Sequence, residues 1–424
     1  MSEIVVMKFG GTSVADAQRI KRAASRIVEK REAGYSVVAV LSARGATTDE
    51  LIAMAEEVSH APDPREMDML LSTGERISCA LCAMAIHDLG HRAISLTGSQ
   101  AGIVTDTSHT KARILDVRAD RVRSALEQDH IVLVAGFQGV STADDVTTLG
   151  RGGSDTTAVA VAAALGAREC EIYTDVAGVF TADPRIVPDA RKLAMVSFEE
   201  MLEMAASGAG VLQLRSVEYA RNHGVRIHCR SSFDDRPGTV VVSEGETMDH
   251  VERPLITAVT HSTSDAMVTL IGVRHEPGVA ATIFEALAEA NVNVDMIDQN
   301  VPTSAGGKAE ISFTVPHDDL KVATGALQAM AGGVFERMST QREMGKVSIV
   351  GAGMRSHPGV AAKVFRVLNG EGINIEMIST SPIKISCVIA RGRVEQAVQA
   401  LHSAFELAGP GTVSVEEPFK ARTG

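Results

Sequence analysis

Residues 148–158 read TLGRGGSDTTA, three glycines set around one arginine and running without a break into an alanine-rich stretch. A helix that begins directly behind a glycine cluster exposes its first backbone N–H groups, and those groups and the helix dipole both favour an anion. Gly150, Gly152 and Gly153 offer a flexible nest of N–H groups, Ser154 can cap the helix, and Arg151 carries the fork that suits a carboxylate. The stretch is not a Walker A loop, since no Gly-Lys-Ser/Thr follows at the required spacing, and it is not a dinucleotide fingerprint. The plainer alternative is a glycine-rich turn in which Arg151 and Asp155 pair with each other.

Working outward, the flanking sequence alternates strand and helix patterns. Glu3 to Phe9 is apolar and β-branched, GGTS breaks it, Asp16 can cap a helix through about Glu32, and Tyr35 to Leu41 (YSVVAVL) reads as a second buried strand. Similar alternation in HRAISLTG, HIVLVAGF, the helix from Ser154 and CEIYTD predicts an α/β fold with a largely parallel sheet covered on both faces. This region takes up residues 1–245. A linker is expected over 246–262, within and just after the polar run Ser243 to Pro254.

Beyond the linker the chain repeats itself. EPGVAATIFEALAEANVNVDMI (Glu276 to Ile297) matches HPGVAAKVFRVLNGEGINIEMI (His357 to Ile378), and the two follow the strand-like runs AMVTLIGV and GKVSIVGA. Two small ferredoxin-like α+β modules are therefore expected, at 263–343 and 344–424, of a pattern whose strands could join one sheet. GAGM at 351–354 imitates a nucleotide loop, but Ser356 stands where the third glycine belongs.

Composition limits the function classes. A chain of 424 residues, 45% apolar and 22% charged, has room for two or three domains with buried cores. The formal net charge of −12, with no Lys/Arg block to offset it, argues against nucleic acid as a partner. The most apolar helical stretch, Ala158 to Leu165, is too short to span a bilayer, so no membrane association is expected. Five scattered cysteines (79, 82, 170, 229, 387) do not make a disulfide framework and suit a reducing, cytoplasmic compartment. Cys79 and Cys82 form a C-x-x-C inside ISCALCAMAI, which reads as a packed helix. No histidine spacing predicts a protein-built metal site, so any metal should arrive with a substrate.

Four loops stand at or near predicted strand ends, where open α/β sheets bind ligands: KFGGTS (8–13), SARGATTDE (42–50), LGRGGSDT (149–156) and YTDVAGVFTADPR (173–185). Lys8 ends a strand, and Gly10-Gly11 lets backbone N–H groups approach an anion such as phosphate. Alone, that motif reads equally as a tight turn with a surface lysine.

Together with MDMLLSTGERIS, TGSQAG, VAGFQG, LRSVEYA and the two C-terminal modules, which look like paired ACT domains, these loops resemble the amino-acid kinase superfamily, most closely its aspartate kinase branch. The resemblance covers nearly the whole chain and implies transfer of the ATP γ-phosphoryl group, with Mg²⁺ on the nucleotide, to the β-carboxylate of L-aspartate. A carboxylate with a free pKa of about 4 is already a nucleophile at neutral pH, so such a reaction needs charge neutralisation and alignment rather than a general base. The resemblance makes Lys8 the main transition-state stabiliser; Asp155 is expected to orient Lys8 or another basic group rather than to abstract a proton. The resemblance also puts Lys8, Phe9, Gly10, Gly11, Ser42, Thr174, Asp175, Phe180, Thr181, Ala182, Asp183, Pro184 and Arg185 on the nucleotide. Arg151 falls on an aspartate carboxylate and Glu75 on its ammonium group, with Thr47, Thr48, Gly152, Gly153 and Ser154 around the remaining atoms.

For the ACT-like modules, the resemblance implies lysine or threonine as feedback effectors, singly or together. They would bind at Arg274, His275, Glu276, Pro277, Gly278, Val279, Asp298, Gln299 and Asn300 in the first copy. In the second copy the positions are Pro358, Gly359, Val360, Ala361, Ile378, Ser379 and Thr380. Pairing of these modules predicts a homo-oligomer or a complex with a separate regulatory chain. One departure concerns nucleotide affinity: relatives commonly carry lysine where this chain has Gly210. A non-catalytic amino-acid sensor, or a related kinase with another acceptor, is the alternative reading.

Overall fold

The computed structural model describes residues 2–247, 255–300, 307–357 and 359–408. They fall into two units, Met1–Phe180 with Lys192–Ala206 and Gly210–Val251, and Thr181–Arg191 with Ser207–Ala209 and Glu252–Gly424.

Runs such as IVVMKF, SVVAVL and IVLVA carry β-branched residues on both faces, and strands of that kind are stable only when covered on both sides. In the first unit they form an eight-stranded sheet in the order Met195–Ser197, Thr239–Val242, Arg226–Ser231, Glu169–Thr174, Ile4–Phe9, Ser36–Leu41, Ile131–Ala135, Ala93–Leu96. Only Arg226–Ser231 and Thr239–Val242 pair antiparallel; every other neighbouring pair is parallel. On one face, Ile20, Ala24 and Ile27 of the helix Ala17–Glu32 and Cys79, Cys82 and Ile86 of the helix Thr73–Asp88 pack over Met7, Phe9, Ala39, Leu41 and Leu133. Asp16 caps the first of these helices by accepting from Arg19 N at 2.8 Å. The helix Gly153–Leu165 contacts three central strands, and its first ten residues are all buried. A helix apolar on every side is stable only in such a place. A smaller sheet runs Ile114–Val117, Ile103–Thr105, Gln138–Ser141, Val146–Thr148 and delivers the chain to the glycine loop.

The longest apolar helical run is not Ala158 to Leu165 but Pro64–Asp88, 25 residues that are long and apolar enough by composition to cross a bilayer. Its Cys79, Cys82, Ala83 and Ile86 lie in the core. All five cysteines are free and buried, and burial pushes the Cys82 thiol up to about 12.

The second unit holds one six-stranded antiparallel sheet in the order Ile297–Asn300, Lys308–Pro316, Ala258–Arg274, Arg337–Val350, Lys384–Ala390, Met377–Ser381. The two repeats thus share a sheet through the pairing of Ala258–Arg274 with Arg337–Val350. Residues 258–262, read from sequence as the end of the linker, are strand, because Ala258 to Ser262 pair with Val350 to Lys346. Linker residues 248–254 lie outside the described residues. The alternating run NVNVDMI counts as strand only from Ile297, although Asp295 N already donates to Thr314 O at 3.1 Å and Met296 O accepts from Thr314 N at 3.0 Å, and Val292 and Met296 are buried. The helices Val279–Glu289 and Val360–Gly370 start alike, each behind a left-handed glycine, Gly278 (φ 93°) and Gly359 (φ 100°). Thr181 belongs to this unit: its carbonyl accepts from Val259 N at 2.8 Å, and its hydroxyl lies 2.9 Å from His402 Nε2.

Candidate active site

Parallel register gathers three of the four predicted loops, those after Phe9, Leu41 and Thr174, at one edge of the large sheet, while the fourth, after Thr148 of the smaller sheet, is tied in by Leu149 N donating to Phe137 O. Phe9 lies opposite Leu41 and Tyr173, Leu41 opposite Ala135, and Thr174 opposite Ser231, so these strands end level and their following loops open on the same side. Backbone bonds tie the loops together: Gly10 N donates to Tyr173 O at 3.2 Å, Ser42 N to Phe9 O at 3.1 Å, Gly45 N to Gly11 O at 3.0 Å and Ser232 N to Thr174 O at 2.8 Å. The Phe9 and Tyr173 rings stack beneath them at 4.8 Å.

Lys8 and Asp155 form the charged centre. Nζ of Lys8 stands 2.5 Å from Oδ1 of Asp155, with the side chains 12% and 8% exposed. Asp155 sits in the first turn of the helix Gly153–Leu165, where the dipole favours its charge. The alternative of an Arg151–Asp155 pair is therefore not realised: Arg151 is exposed and has no ion-pair partner among the described residues. At Gly10 a Cβ would come 3.5 Å from Lys8 Nζ, and at Gly11 it would come 2.8 Å from Ala43 O, so the close approach at Gly11 requires glycine.

The helix cap differs from the sequence expectation. Gly152, with φ 72°, is the N-cap, and Ser154 is buried inside the first turn. The loop is closed by Gly153 N donating to Gly150 O at 3.0 Å and Leu149 N to Phe137 O at 2.8 Å. Thr157 reinforces it, accepting from Phe137 N and donating to Gly153 O.

Glu75 faces the loop 42–46. Its Oε1 accepts from Ala43 N at 3.2 Å, while Oε2 is buried with no hydrogen-bond partner. Burial, outweighing the backbone hydrogen bonds and Arg76, raises its pKa to about 7. Thr47 and Thr48 open the helix Thr47–Val58, half-buried, directly after that loop.

Thr174 donates to the neighbouring Asp175 carboxylate at 3.0 Å at the same edge, and Phe180 is the last residue of this stretch in the first unit. Thr181, Ala182, Asp183, Pro184 and Arg185 belong to the second unit, where Asp183 and Arg185 bind each other through Arg185 Nε and Nη2. Gly210 is exposed, with open space where a Cβ would stand.

Three residues escaped the sequence reading. Asp68, inside MDMLLSTGERIS, is fully buried and accepts from Thr148 Oγ1, Thr110 N and His109 Nδ1. Arg215, inside LRSVEYA, donates to Leu149 O and Ala112 O. Gln213 lies against Gly152, its Cγ 1.9 Å from where a Cβ would be. The only sequence signal for Asp68 is an acid in the middle of an otherwise apolar MDMLL.

In the second unit, Arg274, His275, Glu276, Pro277, Gly278 and Val279 line a cavity of about 350 Å³ together with Gln299. Asp298 and Asn300 flank Gln299 on the exposed edge strand. In the second copy Gly359, Val360 and Ala361 start a helix, and Ile378, Ser379 and Thr380 lie on the opposite edge strand. Pro358 lies outside the described residues.

Comparison with known proteins adds the following. A profile of the amino acid kinase family matches residues 3–231, and an ACT domain profile matches 268–330 and 347–405. The aspartokinase of Mycolicibacterium smegmatis is 57% identical over 408 residues, covering 96% of this chain and 97% of that one. That of Corynebacterium glutamicum is 52% identical over 408 residues, covering 96% and 97%. Among solved structures, E. coli aspartokinase III in complex with aspartate and ADP superposes with a TM-score of 0.82 at 27% identity, covering 95% of this chain and 99% of that one. The same enzyme in complex with lysine and aspartate, in the T-state, gives 0.71 at 28% identity, covering 95% and 100%.

Proposed function

The chain belongs to the amino acid kinase family, in its aspartokinase branch, and from that premise we propose how its own residues carry the reaction. It is a kinase that uses ATP to phosphorylate the β-carboxylate of L-aspartate, giving 4-phospho-L-aspartate. The observation that carries the reading of the site is the buried Lys8–Asp155 pair at 2.5 Å, set between the Gly10-Gly11 turn and the first turn of the helix Gly153–Leu165.

Two anions must meet in line, so the chain has to hold both and spread the charge of the transferring group. Lys8 supplies the cation, and Asp155 fixes its direction without taking a proton, because the acceptor carboxylate is already ionised. The Gly10-Gly11 backbone takes the phosphates, with Ser42, Thr174 and Asp175 on the nucleotide. Arg151, exposed and unpaired among the described residues, closes on an aspartate carboxylate, and the free Oε2 of Glu75 takes its ammonium group.

Mg²⁺ would ride on the nucleotide phosphates and neutralise part of their charge. The one cluster of three metal-type ligands among the described residues, Glu169, Glu171 and His228, suits a metal poorly. Glu171 is already held by Lys30 at 2.7 Å, Arg230 at 3.2 Å and Tyr173 OH at 3.0 Å. The ACT modules take lysine, threonine or both as inhibitors. Their two exposed edge strands favour assembly with a second copy or a regulatory chain. Free buried thiols suit a cytoplasmic setting.

Turnover measured with aspartate, glutamate and UMP as acceptors tests the reading: aspartate alone should be used. Lys8→Ala should chiefly lower kcat, and Arg151→Lys should chiefly raise the aspartate KM, by roughly 1.5–3 kcal/mol in apparent binding for a lost charge-assisted contact. Equal effects of both on the ATP KM, with the aspartate KM untouched, would overturn the assignments. A sensor without activity would bind aspartate or lysine yet consume no ATP.

A further inference from the structure

We propose that Asp68 and Arg215 are positioning residues that brace the acceptor loop Leu149–Ser154 from its two sides, an inference that rests on the reading of Arg151 as the aspartate clamp. Three glycines at 150, 152 and 153 leave this loop with many accessible backbone conformations, yet a guanidinium fork must meet a carboxylate within a fraction of an ångström. Something outside the loop has to choose one conformation.

Asp68 holds one side. Its carboxylate, fully buried on the helix Pro64–Leu71, accepts from Thr148 Oγ1 at 2.5 Å, from Thr110 N at 3.1 Å through both oxygens, and from His109 Nδ1 at 2.7 Å. Thr148 ends the strand that enters the loop, and its carbonyl accepts from Ala112 N at 2.9 Å. Thr110 is kept at φ 64°, a conformation uncommon for a β-branched residue, and its carbonyl lies against Gly150, 3.2 Å from where a Cβ would be.

Arg215 holds the other side. Its Nη1 donates to Leu149 O at 2.7 Å and its Nη2 to Ala112 O at 3.1 Å. The carboxylate therefore binds donors and the guanidinium binds carbonyls of the same two short segments, 109–112 and 148–149, and neither charge is spent on the other. A buried carboxylate such as Asp68 contributes little to stability compared with a well-packed apolar replacement, and under this proposal what it and the half-buried Arg215 supply is a single loop geometry. Neither residue belongs to the four ligand loops, so both act through Arg151 and the loop backbone.

Initial rates of the full chain with aspartate and ATP varied separately, alongside melting temperatures, test the brace. Asp68→Asn and Arg215→Lys should each raise the aspartate KM about tenfold or more while the ATP KM stays within about twofold. Thr148→Val should do the same, and Thr148→Ser, which keeps the hydroxyl, should restore the aspartate KM. A lower melting temperature with unchanged aspartate KM, or a parallel rise of both KM values, would overturn the brace. If Asp68→Asn does not fold, Thr148→Val and Arg215→Lys decide by the same criteria. Arg151→Ala separates the two layers of the argument: an unchanged aspartate KM in that variant rejects the clamp itself, whereas a raised one with silent Asp68 and Arg215 variants rejects the brace alone.

Discussion

Glu75 is the single side chain from which most can be predicted. Burial raises its pKa from 4.5 to about 7, so the folded protein holds this proton more tightly than the unfolded chain does. Its contribution to stability is then fully present below about pH 4.5 and is lost as the pH rises through about 7, at a cost on the order of 3 kcal/mol. Glu75→Gln should therefore melt above the parent at pH 8 and level with it near pH 4.5. Binding runs the other way. Only the ionised carboxylate attracts the substrate ammonium group, so the aspartate KM of the parent should fall as the pH rises through about 7. In Glu75→Gln it should be higher at pH 8 and flat across that range. A parent KM that ignores pH between 6 and 8, beside an equally flat variant, would remove Glu75 from the acceptor site. The opposite trends in stability and affinity at one residue express a site that costs the fold something to keep.

At the scale of one element, the helix Gly153–Leu165 shows what sequence can and cannot convey. Its position was legible, because a glycine cluster ahead of TTAVAVAAAL marks both a start and an all-round buried helix. Its cap was not: Ser154 looks like the capping residue, yet Gly152 takes that place in a left-handed conformation, packed under Gln213 from sixty residues downstream. Gly152→Ala should cost about 1 kcal/mol for the positive φ. In addition the clash falls on Cγ and Cδ of Gln213 and not only on its free end, so that whole side chain must be displaced. The fold should survive with a melting point a few degrees lower, while kcat/KM for aspartate falls at least about tenfold as the loop N–H groups turn. A loss confined to melting temperature would show that the cap geometry does not serve the acceptor. The same contrast holds elsewhere. Asp16 and the helix through Glu32 were readable from a local cap, and the buried strands from continuous β-branched runs. Residues 258–262 were not, because their strand character comes from Val350 to Lys346, some ninety residues away. Asp68 and Arg215 escaped for a related reason: their partners lie in segments brought together only by the fold.

At the scale of the whole molecule, the proposed feedback control rests on the repeat. Two copies of one module share a sheet whose outer strands, Ile297–Asn300 and Met377–Ser381, carry Gln299 and Ser379 on unpaired edges. The first copy also carries an open pocket of about 350 Å³ between the Arg274 to Ala280 turn and Gln299, ample for an amino acid. Its helix starts there behind Gly278, so under the proposed effector role its first backbone N–H groups would meet a carboxylate and Glu276 an ammonium group. An amino acid bound in that turn can inhibit only if it prefers a low-activity arrangement, and a tenfold preference per site corresponds to about 1.4 kcal/mol of coupling. Coupling is reciprocal, so aspartate should weaken lysine binding by the factor with which lysine weakens aspartate binding. Gln299→Ala should then relieve inhibition by lysine, threonine or their mixture while leaving uninhibited kcat within about twofold. Initial rates with each amino acid alone and combined, with binding followed by calorimetry in the presence and absence of aspartate, measure both sides of the linkage. An enzyme that binds neither amino acid and keeps its full rate in both would leave the modules with an assembly role alone, and the kinase chemistry would stand unchanged, since Lys8, Gly10, Gly11 and Asp155 all lie in the first unit.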